Sequence, residues 1–147
     1  MPQRRLTGST ADALIAGLAG AVLSGLPSTV VTLARGEDVL EGARAAGAIL
    51  LARERRPGVL LAAAVPVHLA LSLGWAAALA PVLPRDRRGP AYGAVAGLGI
   101  AALDLGVIGR CIPAIRALPQ PRQWADHVAF GATVGAVLTI RACRSPS

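Results

Sequence analysis

The chain has 147 residues, 54% of them hydrophobic and only 3% aromatic, with a mean hydropathy of +0.56 and a formal net charge of +7. Its apolar residues are mainly Ala, Leu, Val and Gly, which is typical of helices that pack closely in lipid and argues against a soluble domain with an aromatic-rich core. The positive charge comes from Arg alone, in short clusters between apolar runs. This pattern argues against nucleic acid as a partner and favours contact with a lipid bilayer that has anionic head groups.

Four apolar stretches meet or approach the length needed to cross a membrane, since a helix needs about 20 residues to span about 30 Å of hydrocarbon. They cover residues about 11–34, 58–83, 91–112 and 124–142. The first is about twice as long as the apolar part of a signal peptide, so we expect a retained helix. The sequence therefore predicts an all-α polytopic membrane protein with four transmembrane helices in a single integral membrane domain, residues 1–147.

A two-faced segment over residues about 37–53 separates the first two stretches. Its apolar residues recur at three- and four-residue spacing, while acidic residues occupy its start and arginines its end. The segment is too short and too polar to cross the membrane. It predicts one amphipathic helix that lies in the membrane interface.

Two pairs of look-alike segments suggest an internal repeat. AGLAGAVLSG at 16–25 resembles AGLGIAALDL at 96–105, an offset of 80, and VHLALSLGW at 67–75 resembles DHVAFGATV at 126–134, an offset of 59. The difference of 21 residues is close to the length of the interfacial segment. We expect two tandem helical hairpins, the first with that segment inserted; the alternative is chance similarity between Ala- and Gly-rich helices.

Stripes of small residues indicate which helix faces meet, because small side chains let membrane helices approach closely. The predicted helix-packing positions are one glycine in the first stretch and two in each of the last two: Gly17, Gly93, Gly97, Gly131 and Gly135. Polar residues share these faces. We expect four of them to point into the bundle as an intramembrane polar cluster: Ser24, His68, Asp104 and His127.

Within this cluster, Asp104 and His127 are expected at similar depths, at 1.5 Å of rise per helical residue, and His68 nearer the midplane. We predict a hydrogen bond between Asp104 and His127, direct or through one water. A carboxyl group inside a membrane is costly and needs a partner or a proton. That requirement fits a functional site and a purely structural contact between helices equally well.

No motif for catalysis or nucleotide binding is present, and no paired carboxylates have the spacing needed for hydrolysis. Cys111 and Cys143 follow the third and fourth stretches, so we expect them on opposite sides of the membrane. Neither has metal-ligand spacing with a histidine. The sequence predicts no catalytic residues, no metal and no cofactor, and the protein is not expected to be an enzyme.

Three segments carry a resemblance to a known family. VHLALSLGW, LPRDRRGPAYGAVAGLGIAALDLGV and WADHVAFGATVGAVLTIRACR together resemble the YagU-like inner-membrane proteins of bacteria. The resemblance covers about the last eighty residues. It implies a multi-pass protein of the bacterial inner membrane, in a family loosely tied to acid tolerance.

Two functional hypotheses follow, with a minor third. The first is a non-catalytic membrane subunit or scaffold whose small-residue stripes also bind a second copy or a membrane protein partner. The second is a proton- or small-solute-handling protein that uses Asp104, His127 and His68. The third is a haem electron-transfer protein with two histidine ligands. Small-residue surface left facing lipid would favour the first, and a polar, water-filled cavity at Asp104 the second.

Overall fold

The computed structural model describes residues 3–144, with side chains from residue 10 onward, and within that range the chain is helical without strands. The main helices are α1 (Gln3–Leu23), α2 (Leu26–Ala34), α3 (Glu41–Gly47), α4 (Pro57–Leu79) and α5 (Gly89–Leu103). A π-helical turn (Asp104–Ile108) and a 3₁₀ turn (Gly109–Cys111) continue α5, and the chain then forms α6 (Pro113–Arg116) and α7 (Gln120–Arg144).

Three helical segments are long and apolar enough to cross a membrane: Thr10–Ala34, Pro57–Leu79 and Gly89–Cys111. They correspond to the first three predicted spans and show an all-helical protein of membrane-spanning character. The fourth predicted span is the helix α7, which carries several charged residues and is not among the three. Length and composition alone therefore do not identify α7 as a span.

The long helices run antiparallel to their neighbours. Asp12 in the middle of α1 contacts Arg141 near the end of α7, whereas Ser28 in α2 contacts Asp126 near the start of α7. Helix α5 also runs antiparallel to α7, and α1 antiparallel to α4. The apolar core lies between these helices and includes three residues of α7 with little or no exposed surface: Phe130, Val134 and Leu138.

Helix α7 is the most enclosed of the long helices, although it is the least apolar. Every residue from 122 to 139 is buried or half-buried. Helices α1, α2 and α5 all pack against it. The helices with apolar surfaces thus surround the one with polar groups, which is the arrangement that lipid as a solvent favours.

The predicted interfacial helix is shorter than expected. Only Glu41–Gly47 is helical, and most of the remainder of residues 37–53 forms turns. The Gly47 backbone packs directly against the Leu60 backbone of α4, so the segment is in contact with that helix. Pro57 then starts α4, and the residue before a proline avoids the helical region: Arg56 has φ −76° and ψ 116°. The predicted helical length was therefore wrong.

Regular α-helical geometry ends at matching positions in the two proposed repeats. Helix α1 ends at Leu23 and α5 at Leu103, separated by the same 80 residues as the two look-alike sequences. Pro27 explains the first break, because it has no N–H to donate to the carbonyl of Leu23. The helix pairs nevertheless differ in register. Gly97 corresponds to Gly17 in the proposed repeat, and His127 corresponds to His68. Gly97 contacts His127 of α7, but Gly17 contacts Leu73 of α4 and not His68.

Candidate functional site

The side chains of Trp75, Asp104 and His127 meet at the point where α5 becomes a π-helical turn. Trp75 Nε1 donates a hydrogen bond to Asp104 Oδ2 at 3.0 Å, and His127 Nε2 lies 3.5 Å from the same oxygen. The second distance is typical of an ion pair and longer than a strong hydrogen bond. The site joins α4, α5 and α7, and the side chains of Asp104 and His127 are largely enclosed, at 17% and 23% exposed.

The hydrogen-bond partners of His127 restrict where its proton can be. Nδ1 lies 2.8 Å from the carbonyl oxygen of Gln123, which only accepts, so Nδ1 carries a hydrogen. Nε2 faces Asp104 Oδ2, which also accepts a bond from Trp75. Contact between Nε2 and this oxygen is attractive when one further proton is present, on the imidazole or on the carboxyl group. The arrangement can therefore hold one proton between the two groups.

Backbone geometry fixes the position of Asp104. The N–H of Gly109 donates to the carbonyl oxygen of Asp104, five residues earlier, which closes the π-helical turn. A Cβ at position 109 would lie 2.8 Å from that oxygen and 2.8 Å from Ile115 Cγ2, so only glycine fits without displacement. Turns of this kind are frequent at functional sites.

Asp126, next to His127 in sequence, contacts the other broken helix. Its Oδ1 accepts a hydrogen bond from the backbone N–H of Ser28 at 2.9 Å. Ser28 is the third residue of α2, and its N–H has no partner within that helix. Asp126 thus caps α2 from across the bundle. Adjacent residues of α7 therefore contact the two positions where the membrane helices lose regular geometry.

The other two members of the predicted cluster lie elsewhere. His68 is exposed on the surface of the bundle, with Nε2 2.8 Å from the carbonyl oxygen of Ala21, so its predicted interior position was wrong. Ser24 is buried at the break between α1 and α2. Among the described residues, neither bonds to Asp104 or His127. The two histidine rings have separate partners on different helices, which gives no support to paired haem ligation.

The glycines predicted to mark helix contacts all lie at such contacts. Gly93 packs against the backbone of Gly131, Gly97 against that of His127, and Gly135 against that of Gly89. A Cβ on Gly17 would lie 3.0 Å from side-chain atoms of α4, a looser approach. The seam between α5 and α7 is thus a backbone-to-backbone contact, and it holds the helix of His127 against the helix of Asp104.

Ion pairs form one layer near each end of α7. At one end Arg122 bonds to Glu37 and to Thr32, and this contact holds the pKa of Glu37 below its ordinary value. At the other end Asp12 bonds to both Arg85 and Arg141. These layers separate the enclosed part of α7 from the two ends of the bundle.

Sequence reasoning missed Trp75 and Asp126 as contributors to the site. Trp75 ends the segment VHLALSLGW, and the N–H of an indole in an apolar helix usually needs an acceptor. Asp126 directly precedes His127, so a carboxyl group beside a histidine was the available signal. Both cysteines are free and exposed, and no group of three or more potential metal ligands occurs in the described part of the chain.

Comparison of the chain with protein-family models, with curated proteins and with solved structures finds no match.

Proposed function

We propose that the protein is a non-catalytic, four-span membrane protein that binds a proton at the Asp104–His127 pair. The observation that carries this proposal is the pair itself: one carboxyl group and one imidazole in contact at the break of a membrane helix. Broken helices in corresponding positions of two halves are typical of ion and substrate sites in membrane proteins. The matching ends of α1 and α5 fit this pattern.

The spacing of the two ion-pair layers supports α7 as the fourth span. Arg122 and Arg141 are 19 residues apart in α7, which corresponds to about 28 Å of helix. This length is close to the thickness of the hydrocarbon core, about 30 Å. Asp126 and His127 lie between these two arginines, and both have partners inside the bundle. A helix of low hydropathy can cross a membrane when other helices enclose its polar groups.

In the proposed proton-bound state, the proton lies between His127 Nε2 and Asp104 Oδ2. The Trp75 N–H stabilises the carboxylate, and the Gln123 carbonyl oxygen stabilises the N–H of the imidazolium. Loss of the proton would leave a carboxylate facing the lone pair of Nε2, which is repulsive. We therefore expect deprotonation to separate the two side chains and to move α5 relative to α7.

Nitrogen-15 NMR of the histidine rings in lipid nanodiscs tests this proposal, with His68→Ala used to assign the two rings. We expect His127 to titrate with one midpoint and to keep the hydrogen on Nδ1 throughout. Asp104→Asn should move that midpoint, because the charge beside the ring is removed. The ring signals of His68 are the internal control and should not respond to Asp104→Asn, because His68 is bonded to Ala21 instead. An unchanged His127 midpoint in Asp104→Asn would contradict the proposal.

A second candidate function is lateral association as a membrane subunit or scaffold. One observation favours it: small residues recur every four positions along an exposed face of α4, at Ala62, Pro66, Ala70, Gly74 and Ala78. Nothing lies within 4 Å of a Cβ built on Gly74. This surface fits a second copy of the chain, because small residues allow close helix approach in lipid.

The mass of the protein–detergent complex tests this second candidate. We expect a dimer that Gly74→Leu converts to a monomer. Gly99→Leu, a matched change at another open glycine, should leave the mass unchanged. A monomeric wild-type protein would contradict this candidate and leave the proton-binding proposal intact. A bacterial inner-membrane location is inferred from the family resemblance, and membrane fractionation of cells that produce the protein would test it.

A further inference from the structure

We infer that protons reach the Asp104–His127 pair from one end of the bundle only, the end at which Glu37 bonds to Arg122. This inference rests on the proposed function and adds a direction to it. It follows from the uneven distribution of polar and apolar groups on the two sides of the pair along α7.

Toward the Glu37–Arg122 end, polar groups follow one another closely. Asp126 directly precedes His127, and Arg122 lies five residues before His127, about 7 Å along the helix. Asp126 is bonded to Ser28, and Arg122 to both Thr32 and Glu37. The carboxylates of Asp126 and Glu37 can hold a proton, whereas the guanidinium of Arg122 stays protonated and only donates hydrogen bonds.

Toward the opposite end, the pair is closed by the apolar core. The next charged group in that direction on α7 is Arg141, 14 residues from His127, or about 21 Å away. Val134 and Leu138 lie in between and have no exposed surface. Five core residues outside α7 lie on the same side of the site: Ala13, Ala16, Leu79, Ala80 and Leu83.

Few titratable groups act on His127 from the elements around it. Asp104 lies on the turn that follows α5, and Asp126 lies on α7 itself. The neighbouring residue on α4 is Trp75, which does not titrate in the physiological range. Glu37 and Arg122 are the next charged groups toward the open end. Asp126, Arg122 and Glu37 are therefore the charged groups on the open side of the pair.

The native tryptophan and cysteines provide a direct test in the full-length chain. Trp124→Phe leaves Trp75 as the only tryptophan, and its N–H bonds the Asp104 carboxylate, so its emission reports the pair. Cys111 is exposed at the Glu37–Arg122 end and Cys143 at the other. The protein is placed in sealed vesicles of phosphatidylcholine and phosphatidylglycerol. Two reconstitution conditions are used, which differ in the fraction of molecules inserted in each orientation. The external pH is then changed in a stopped-flow instrument.

We expect a prompt change in Trp75 emission from the molecules whose Glu37–Arg122 end faces outward. The fraction of these molecules is measured separately, as the fraction of Cys111 that reacts with an impermeant maleimide added outside. The prompt change, as a fraction of the total change, should equal that fraction. A protonophore should release the remaining amplitude. The inference would be overturned if the prompt fraction equalled the fraction of Cys143 labelled from outside, or if the whole change were prompt. In either case the pair would still respond to pH. Absence of any pH response, even with the protonophore, would overturn the proton-binding pair and this inference with it.

Two single substitutions at opposite ends sharpen the test. Asp126→Asn should slow the prompt phase, because it removes the carboxylate next to His127 on the open side. Asp12→Asn changes the closed end and should leave the rate of the prompt phase unchanged. The total amplitude with protonophore shows that each variant is folded and titrates. A slower response in Asp12→Asn with a normal one in Asp126→Asn would contradict the stated direction.

Discussion

The carboxylate of Asp104 is shared between an indole N–H from α4 and an imidazole from α7. Removal of His127 alone would leave this carboxylate without its cationic partner in a largely enclosed position. Removal of both side chains would leave neither group uncompensated. The energetic signature of such a pair is thus non-additivity.

A double-mutant cycle measures that non-additivity. We expect His127→Ala to destabilise the protein more than the double variant with Asp104→Ala, with a coupling energy of about 1–3 kcal/mol. Thermal unfolding in detergent at neutral pH gives the four stabilities. His68→Ala combined with Asp104→Ala is the control and should be additive, since His68 is bonded to α1 instead. Additivity in the His127 cycle would show that the two groups do not interact.

Glu54 organises the turn that leads into α4. Its carboxylate accepts hydrogen bonds from the backbone N–H groups of Arg55 and Arg56 and from the guanidinium of Arg56. These bonds lower the pKa of Glu54 from 4.5 to about 2, and the guanidinium has the largest effect. Because the folded-state pKa is lowered, the stabilisation is present above pH 4.5 and is lost as the pH falls toward about 2.

Glu54→Gln should therefore lower the Tm at neutral pH, and the difference from the wild type should disappear as the pH falls through about 2. Glu41→Gln is a matched control, because Glu41 forms no salt bridge among the described residues. Its Tm difference should be small at every pH. A Glu54→Gln difference that persists unchanged below pH 2 would show that the carboxylate charge is not the cause.

At the scale of single elements, α5 contains two glycines in opposite environments. A Cβ on Gly97 would lie 2.9 Å from the carbonyl carbon of His127 and 3.0 Å from Val128 Cα, both backbone atoms of α7. A Cβ on Gly99 would meet nothing within 4 Å. The same substitution at these two positions should therefore have opposite effects.

We expect Gly97→Ala to destabilise the protein by about 1–3 kcal/mol, because α5 and α7 must move apart. Gly99→Ala should be neutral or stabilising by about 0.5–1 kcal/mol, because alanine restricts the unfolded chain. Thermal unfolding in detergent compares the two. Equal stability of both variants would mean that the seam between α5 and α7 is not closely packed.

Periodic and compositional signals predicted the elements well where one residue type decides the structure. Small-residue spacing located Gly93, Gly97, Gly131 and Gly135, since close backbone approach admits little else. The interfacial helix was predicted too long, because its apolar spacing continues past Gly47. Helix geometry there depends on a contact with α4 and on Pro57, and periodicity reports neither.

The polar cluster shows a similar boundary between what sequence can and cannot predict. The shared faces of Asp104 and His127 followed from helical spacing and depth. The outward position of His68 did not, because α4 buries different faces against α3 and against the core along its length. A single helical stripe therefore cannot describe both halves of α4. Trp75 and Asp126 bond across helices, and such contacts have no signature in local sequence.

At the scale of the whole molecule, α7 decides the topology. Its hydropathy is too low for it to count as a span, yet it is enclosed by α1, α2 and α5 and has an ion-pair layer near each end. A proton site inside the membrane requires α7 to cross the bilayer, because the Asp104–His127 pair and the closed core both lie along this helix. If α7 lay on the membrane surface, Asp126 and His127 would face water. The agreement between the spacing of the two ion-pair layers and the thickness of the hydrocarbon core would then have no cause.

Labelling of the two native cysteines in intact cells tests this requirement most directly. Cys111 lies just before α6, ahead of α7, and Cys143 lies in the last turn of α7; both are exposed. An impermeant maleimide applied from outside should label only one of them, and both should react after permeabilisation. Cys111→Ala and Cys143→Ala identify which cysteine reacts. Labelling of both cysteines from the same side of an intact membrane would contradict the four-span bundle and the proton site built on it.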